Sequence, residues 1–162
     1  MTSRLVLAVD TSTEVLAIGL GYRRGMDVEP VRSLAIESPR RANAELLPRV
    51  AAELKDLGLS VSEIAEVMVG LGPGSFTGVR IGVATAKGVA HGLGVPLHGV
   101  GTLDAVAWRV LASRAVSPGA LVVVLGDAMR GEVYPALFRV SGDATGIVRL
   151  TADRVAKPAD VI

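Results

Sequence analysis

No cysteine occurs in the 162 residues, which excludes disulfides, thiolate nucleophiles and cysteine-based metal sites. Aromatic residues are scarce, at 3%. Tyr22, Phe76, Trp108, Tyr134 and Phe138 are too few to form a platform on which single-stranded nucleic acid could stack. An excess of one charge is also missing: 17 basic residues against 16 acidic ones leave a net charge of +1, too little to draw in nucleic acid. The pair Arg40-Arg41 beside Pro39 reads as a solvated turn. No run approaches the roughly 18–20 apolar residues of a membrane span. The opening MTSRLVLAVD enters a strand-like run at once, without a signal-type core. A cytoplasmic protein is therefore expected. The chain does have apolar bulk, with 50% hydrophobic residues and a mean hydropathy of +0.49. That surplus belongs in a core or an interface.

Hydrophobic periodicity predicts strands at 4–9, 15–20 and 31–36. In RANAELLPRVAAELKDLG the period becomes helical through Leu46, Leu47, Val50, Leu54 and Leu57, and Gly58 is a plausible stop. Pro48 is expected to kink this helix or mark its start, because it lacks an N–H. Ser60-Val-Ser-Glu63 has capping-box spacing, and EVMVGL follows as a strand. Beyond the glycine-rich stretch, a strand at 95–100 and a helix from Thr102 to about Ala112 precede the linker SRAVSPGA. Strands at 121–125, at 133–140 and from Ile147 complete the reading.

That order contains a repeat. An apolar strand ends at Asp10 and returns through Glu14-Val15. Another ends at Asp127 and returns through Glu132-Val133. Two copies of strand, Asp, hairpin and strand suggest a duplicated fold, with an N-terminal half at 1–113 and the start of a C-terminal half at 120–162. Helices accompany the first copy. The second stops at KPADVI before any covering helix, so its sheet is expected to expose an apolar face and the second half to be incomplete.

The stretch from Gly70 to Ala90, GLGPGSFTGVRIGVATAKGVA, invites a phosphate-loop reading, which fails. Lys87 follows Ala86 rather than a glycine, and Gly72-Pro-Gly74-Ser-Phe-Thr77 lacks the third glycine of a dinucleotide fingerprint. A helical reading fits better. Gly78, Gly82, Ala86 and Ala90 form a ridge at i, i+4, and Thr77, Arg80, Ala84, Lys87 and His91 form a polar stripe. An interior glycine costs a helix about 0.5–1 kcal/mol relative to alanine, so Gly78 and Gly82 need a reason. Close approach of another backbone is the physical one. That backbone belongs either to the chain's own sheet or to a partner.

The segments AVDTSTEVLAIGL, LLP, VGLGPGSFTGVRIGVATAKGVA, VPLHGVGTLDAVA and DAMRGEVY, in this order, resemble the TsaB (YeaZ) family. The resemblance covers nearly the whole chain. It implies an α/β fold of the duplicated actin-like (ASKHA) type shared by sugar kinases and the Hsp70 ATPase. It also implies a non-catalytic role beside a paralogous TsaD transferase, which places threonylcarbamoyl on an adenosine of tRNA with the help of a TsaE ATPase. Contact with tRNA is then indirect. Members of the family alone pair with themselves through the same helices that dock the transferase. The implied docking face here is Leu46, Leu47, Val50, Leu54, Gly78, Arg80, Gly82, Ala86 and Ala90, with Arg80 at its edge. On that reading, bulk at Gly82 blocks pairing and spares the fold. The resemblance implies no cofactor of the chain's own, with ATP or ADP at the partner interface. Two positions depart from the pattern. The transferase's metal-binding H-x-x-x-H reads Thr102-Leu-Asp-Ala-Val106 here, and many relatives have histidine where this chain has Ala42.

The other chemistries are weaker. His91 and His98 are isolated, and no G-x-S-x-G elbow exists for a serine hydrolase. The alternative is a degenerate actin-like ATPase or kinase, in which Asp10, Thr11, Ser12 and Thr13 would hold a nucleotide phosphate. In that motif Ser12 stands where glycine would allow backbone approach.

Overall fold

The computed structural model describes residues 3–25, 27–37, 42–113, 115–143 and 145–161. Arg40 and Arg41 lie outside the described residues, as does the side chain of Ala42. The chain divides into two compact units. One runs to Leu71 and resumes at Ser75–Val100. The other joins Gly72–Gly74 to Gly101–Ile162.

In the first unit, β1 (Arg4–Asp10), β2 (Val15–Arg24) and β3 (Asp27–Glu37) form an antiparallel meander. α1 (Ala42–Asp56) leads through a single 3₁₀ turn (Val61–Glu63) into β4 (Ile64–Gly70), which pairs parallel to β1. α2 (Phe76–Leu93) leads into β5 (Leu97–Val100), parallel to β4. The sheet order is β3-β2-β1-β4-β5. Alternation along the strands turns Leu5, Leu7, Val9, Leu16, Ile18, Leu20, Val67 and Val69 into one core. Leu46, Val50 and Leu54 of α1, with Ala86 and Ala90 of α2, close that core from the helical side.

Local chemistry accounts for most boundaries. The 3₁₀ turn has the expected capping box: Ser60 Oγ accepts the Ser62 N–H, and the Ser60 N–H donates to Glu63 Oε2 at 2.6 Å. Gly94, at φ 66°, ends α2 in the left-handed conformation that glycine adopts freely. Pro48 neither starts nor ends α1, which runs through it. Both Pro48 and Ala44 are exposed, so water can serve the carbonyl that Pro48 leaves without an N–H.

Glu66 of β4 is a buried carboxylate, its side chain 4% exposed. Arg23 Nε meets its oxygens at 2.9 and 3.1 Å, Arg23 Nη2 makes a further contact, and Arg4 Nη1 lies 3.4 Å away. His98 Nε2 stands 3.9 Å off. Hydrogen bonding from Arg23 holds the Glu66 carboxyl below the usual carboxylate range, against the opposing effect of burial.

In the second unit, β6 (Leu121–Met129), β7 (Glu132–Val140) and β8 (Ile147–Arg149) form a second antiparallel meander in the order β6-β7-β8. It repeats β1-β2-β3, and the repeat extends to hydrogen bonding. Asp10 Oδ1 accepts the Ser12 N–H at 2.7 Å, and Asp127 Oδ1 accepts the Met129 N–H at 2.7 Å. The same Asp-led turn thus opens both hairpins.

α3 (Thr102–Ala112) overturns part of the sequence reading. Leu103, Ala107 and Leu111 pack against Val122, Val124, Ala136, Phe138 and Val140, so a helix drawn from before the linker covers the second sheet. The compact second unit accordingly takes up the chain again at Gly101, not after 113. The cover is one-sided. Leu121, Val123 and Leu125 alternate with the packed valines and remain exposed.

The Glu66 cluster yields a signed prediction. A carboxylate held ionised by its partners stabilises the fold above its ordinary titration range, and that stability is lost as pH falls through its depressed value. Glu66→Gln is expected to lower stability at neutral pH by about 1–3 kcal/mol and to flatten the acid limb of the stability curve. Denaturant unfolding of both proteins between neutral and acid pH checks this.

Candidate partner-docking site

The glycine-rich stretch is the strand-to-helix passage from β4 to α2. Within the first unit it is built around the β1–β2 turn. Gly70 ends β4, and a Cβ there would collide with the Asp10 carboxylate. Ser75, the N-cap of α2, receives the Gly78 N–H on its Oγ at 3.2 Å and donates its own N–H to Ser12 O at 2.6 Å. Thr11 and Ser12 are buried, at 3% and 1% exposure. Thr11 Oγ1 donates to Gly78 O at 2.6 Å. A Cβ at Gly78 would strike Thr11 O, and one at Gly82 would lie 2.5 Å from Thr11 Oγ1.

That geometry explains the interior glycines and corrects the expected docking face. Gly82, Ala86 and Ala90 are buried, and Leu46, Val50 and Leu54 are core residues. Gly78 lies half-buried under Thr11. The ridge admits the chain's own turn and sheet rather than a second polypeptide. Of the expected face, only Leu47 and Arg80 point outward.

The opposite side of α2 is open. Thr77, Arg80, Ala84, Lys87 and His91 are all exposed, as the polar stripe required. Interleaved with them is a second i, i+4 row, Ala84, Gly88 and Gly92, which sequence reasoning missed. A Cβ at Gly88 or Gly92 would meet nothing within 4 Å. The row was visible in the sequence; which of two small-residue rows faced inward depended on where Thr11 sat. Phe76 stands 69% exposed at the start of the helix, with the Arg80 guanidinium 3.8 Å from its ring centroid. α2 contains Arg80, Lys87 and His91 and no acidic residue.

The nucleotide alternative placed Asp10, Thr11, Ser12 and Thr13 together, and they do share the hairpin. Their polar atoms bond within the fold: Asp10 to Ser12, Thr11 to Gly78, and Thr13 Oγ1 to the backbone of Val15. In the second unit, Thr102 occupies the first position of the transferase's metal motif. Its Oγ1 accepts the Gly72 N–H at 3.1 Å, and its own N–H donates to Gly72 O at 2.8 Å. Val106, at the second position, is exposed. Among the described residues no three His, Asp or Glu side chains cluster as a metal site, and no helix is long and apolar enough to cross a membrane.

Element order, sheet topology and the repeated Asp-led meander define an α/β protein of the actin-like class. The family model described as "TsaD: tRNA N6-adenosine threonylcarbamoyltransferase" matches residues 37–162, and the chain belongs to that family. Relatives from Escherichia coli and Bacillus subtilis carry the TsaB name, in agreement with the sequence resemblance. The chain is 38% identical over 138 residues to the Escherichia coli "tRNA threonylcarbamoyladenosine biosynthesis protein TsaB", covering 83% of this chain and 54% of that protein. It is 36% identical over 157 residues to an uncharacterized protein of Mycobacterium leprae, covering 97% of this chain and 40% of that one. The solved structure of YeaZ from Pseudomonas aeruginosa superimposes with a TM-score of 0.79 at 28% identity, covering 96% of this chain and 68% of that one. The chain thus spans about half the length of the curated relatives it matches.

The two small-residue rows predict substitutions of opposite sign. Gly82→Ala is expected to destabilise by about 1–3 kcal/mol through overpacking against Thr11. Gly88→Ala is expected to stabilise by about 0.5–1 kcal/mol, as for any unobstructed helical glycine. Thermal or urea unfolding of the two variants checks both signs.

Proposed function

We propose that the chain is a non-catalytic partner subunit in the cytoplasmic installation of threonylcarbamoyl on tRNA adenosine. It docks a TsaD-type transferase through the outward face of α2 with Leu47 of α1, while a TsaE-type ATPase assists the transferase and tRNA is met only indirectly. One observation carries the reading: the face of α2 turned away from the core has two open glycines and no acidic residue. Glycines that the fold does not need lower helix stability, and close approach of a partner helix is a use that offsets this. Phe76 and Arg80 offer the aromatic and guanidinium anchor common at the centre of protein interfaces. Two copies of α2 set face to face would oppose like charges, which favours a transferase partner over self-pairing at this surface.

The ATPase alternative draws less support. The hairpin that would hold phosphate is internally hydrogen-bonded, and buried Ser12 fills the position where glycine would admit a ligand. On the favoured reading, ATP or ADP enters only at the partner interface.

Calorimetry with the transferase tests the docking face. Gly88→Leu and Arg80→Glu are each expected to weaken binding about tenfold or more, with no loss of thermal stability. Unchanged affinity in both would remove α2 from the interface. Magnesium-dependent ATP turnover by the chain alone would restore the enzyme reading.

A further inference from the structure

The described cations of the first unit fall into two groups. Arg4 and Arg23 meet Glu66, Arg24 meets Glu29 at 3.6 Å, and Arg32 meets Glu53 at 3.1 Å. All four belong to β1, β2 or β3. Arg49 and Lys55 of α1, with Arg80 and Lys87 of α2, are exposed. Among the described residues none of these four has a carboxylate within ion-pair distance. Arg80 lies against the Phe76 ring, which supplies no counter-charge. The fold thus pairs the cations of its strands and leaves those of its helices unpaired. Of the acids on α1, Glu53 is already engaged by Arg32.

Docking on α2 would strip water from two of these cations. Arg80, Ala84, Lys87, Gly88 and His91 share one exposed helical face. A partner that reaches the open glycine row must therefore cover Lys87 beside it. A desolvated cation without a counter-charge is costly, so a complex on this face needs carboxylates from the other side. Arg80 and Lys87 are seven residues apart, about 10 Å along the helix axis. Acidic residues two turns apart on a facing helix match that spacing. RNA phosphates would also answer the charge, but they gain nothing from Ala84, Gly88 and Gly92 lying bare between the cations. A stretch without bulky side chains serves the close approach of a second main chain, which favours a protein.

Resting on the docking reading above, we infer that the transferase surface seated on α2 is acidic, with carboxylates opposite Arg80 and Lys87. The charges steer the encounter and fix its register, while the bare row sets the distance of approach.

Calorimetry with the cognate TsaD-type transferase, at two salt concentrations, reads the charge separately from the docking. Affinity is expected to fall about tenfold or more between 0.1 M and 1 M salt, as the screening length shrinks from about 10 Å to about 3 Å. Lys87→Glu is expected to weaken binding about tenfold or more at the lower salt and to flatten the salt dependence. Arg24→Glu makes the same change in net charge on the sheet, where it breaks only an exposed pair with Glu29, and is expected to leave affinity unchanged. Lys87→Gln is expected to show a smaller loss in the same direction, and it decides the matter should Lys87→Glu disturb the fold. Binding that Gly88→Leu weakens, but that neither salt nor the Lys87 variants change, would keep the docking face and overturn the acidic partner. Equal losses in Lys87→Glu and Arg24→Glu would overturn it as well, by reducing the effect to net charge. A tRNA transcript bound by the chain alone, and released by Lys87→Glu, would assign these cations to phosphate and overturn it. Indifference of the complex to both Gly88→Leu and Arg80→Glu, or absence of any complex, would remove the docking face and the acidic partner together.

Discussion

The contact between the β1–β2 turn and α2 is the constraint on which the first unit depends. Thr11 is buried, donates to the backbone of α2, and leaves no room for a Cβ at either Gly78 or Gly82. Ser12 receives the N–H of the helix cap through its own carbonyl. The turn after β1 therefore seats the helix after β4, and the parallel pairing of β1 with β4 brings the two together. The glycines weaken α2 as an isolated helix, and the tertiary contacts they admit offset that cost.

This seat decides the direction of everything else on α2. With Gly82, Ala86 and Ala90 pressed inward, the row through Ala84, Gly88 and Gly92 must face out, beside Arg80 and Lys87. The outward row is separated from the inward one by less than a helical turn, so the contact of Thr11 with Gly78 and Gly82 selects which row is exposed. The second unit shows a related economy of means. Its three strands repeat the first meander down to the Asp-led turn, yet the helix that covers them precedes the linker.

Much of this was legible in the chain. The duplicated meander showed in the spacing of Asp10 and Asp127 from their return strands. The capping box at Ser60 was realised as a 3₁₀ turn, and the absence of acid from α2 could be counted. The interior glycines were correctly read as needing a close backbone. Of the two owners left open, the chain itself or a partner, it is the chain itself, through Thr11, and not the partner that the family resemblance implied. The cover on the second sheet was also missed, because periodicity shows that α3 has an apolar side but not which sheet that side meets. The ion cluster at Glu66 gave no sequence signal, since Arg4, Arg23 and Glu66 are distant along the chain and meet only through strand pairing.

By itself the sequence determined which segments would be strands and helices, that the strand pattern is duplicated, and that thiol chemistry is absent. These follow from side-chain period, turn chemistry and composition, all of which act locally. Only the tertiary structure decided which small-residue row of α2 is core and which is surface, and which sheet receives α3. Those outcomes depend on atoms brought together across the sheet, where a single missing Cβ sets the allowed distance of approach.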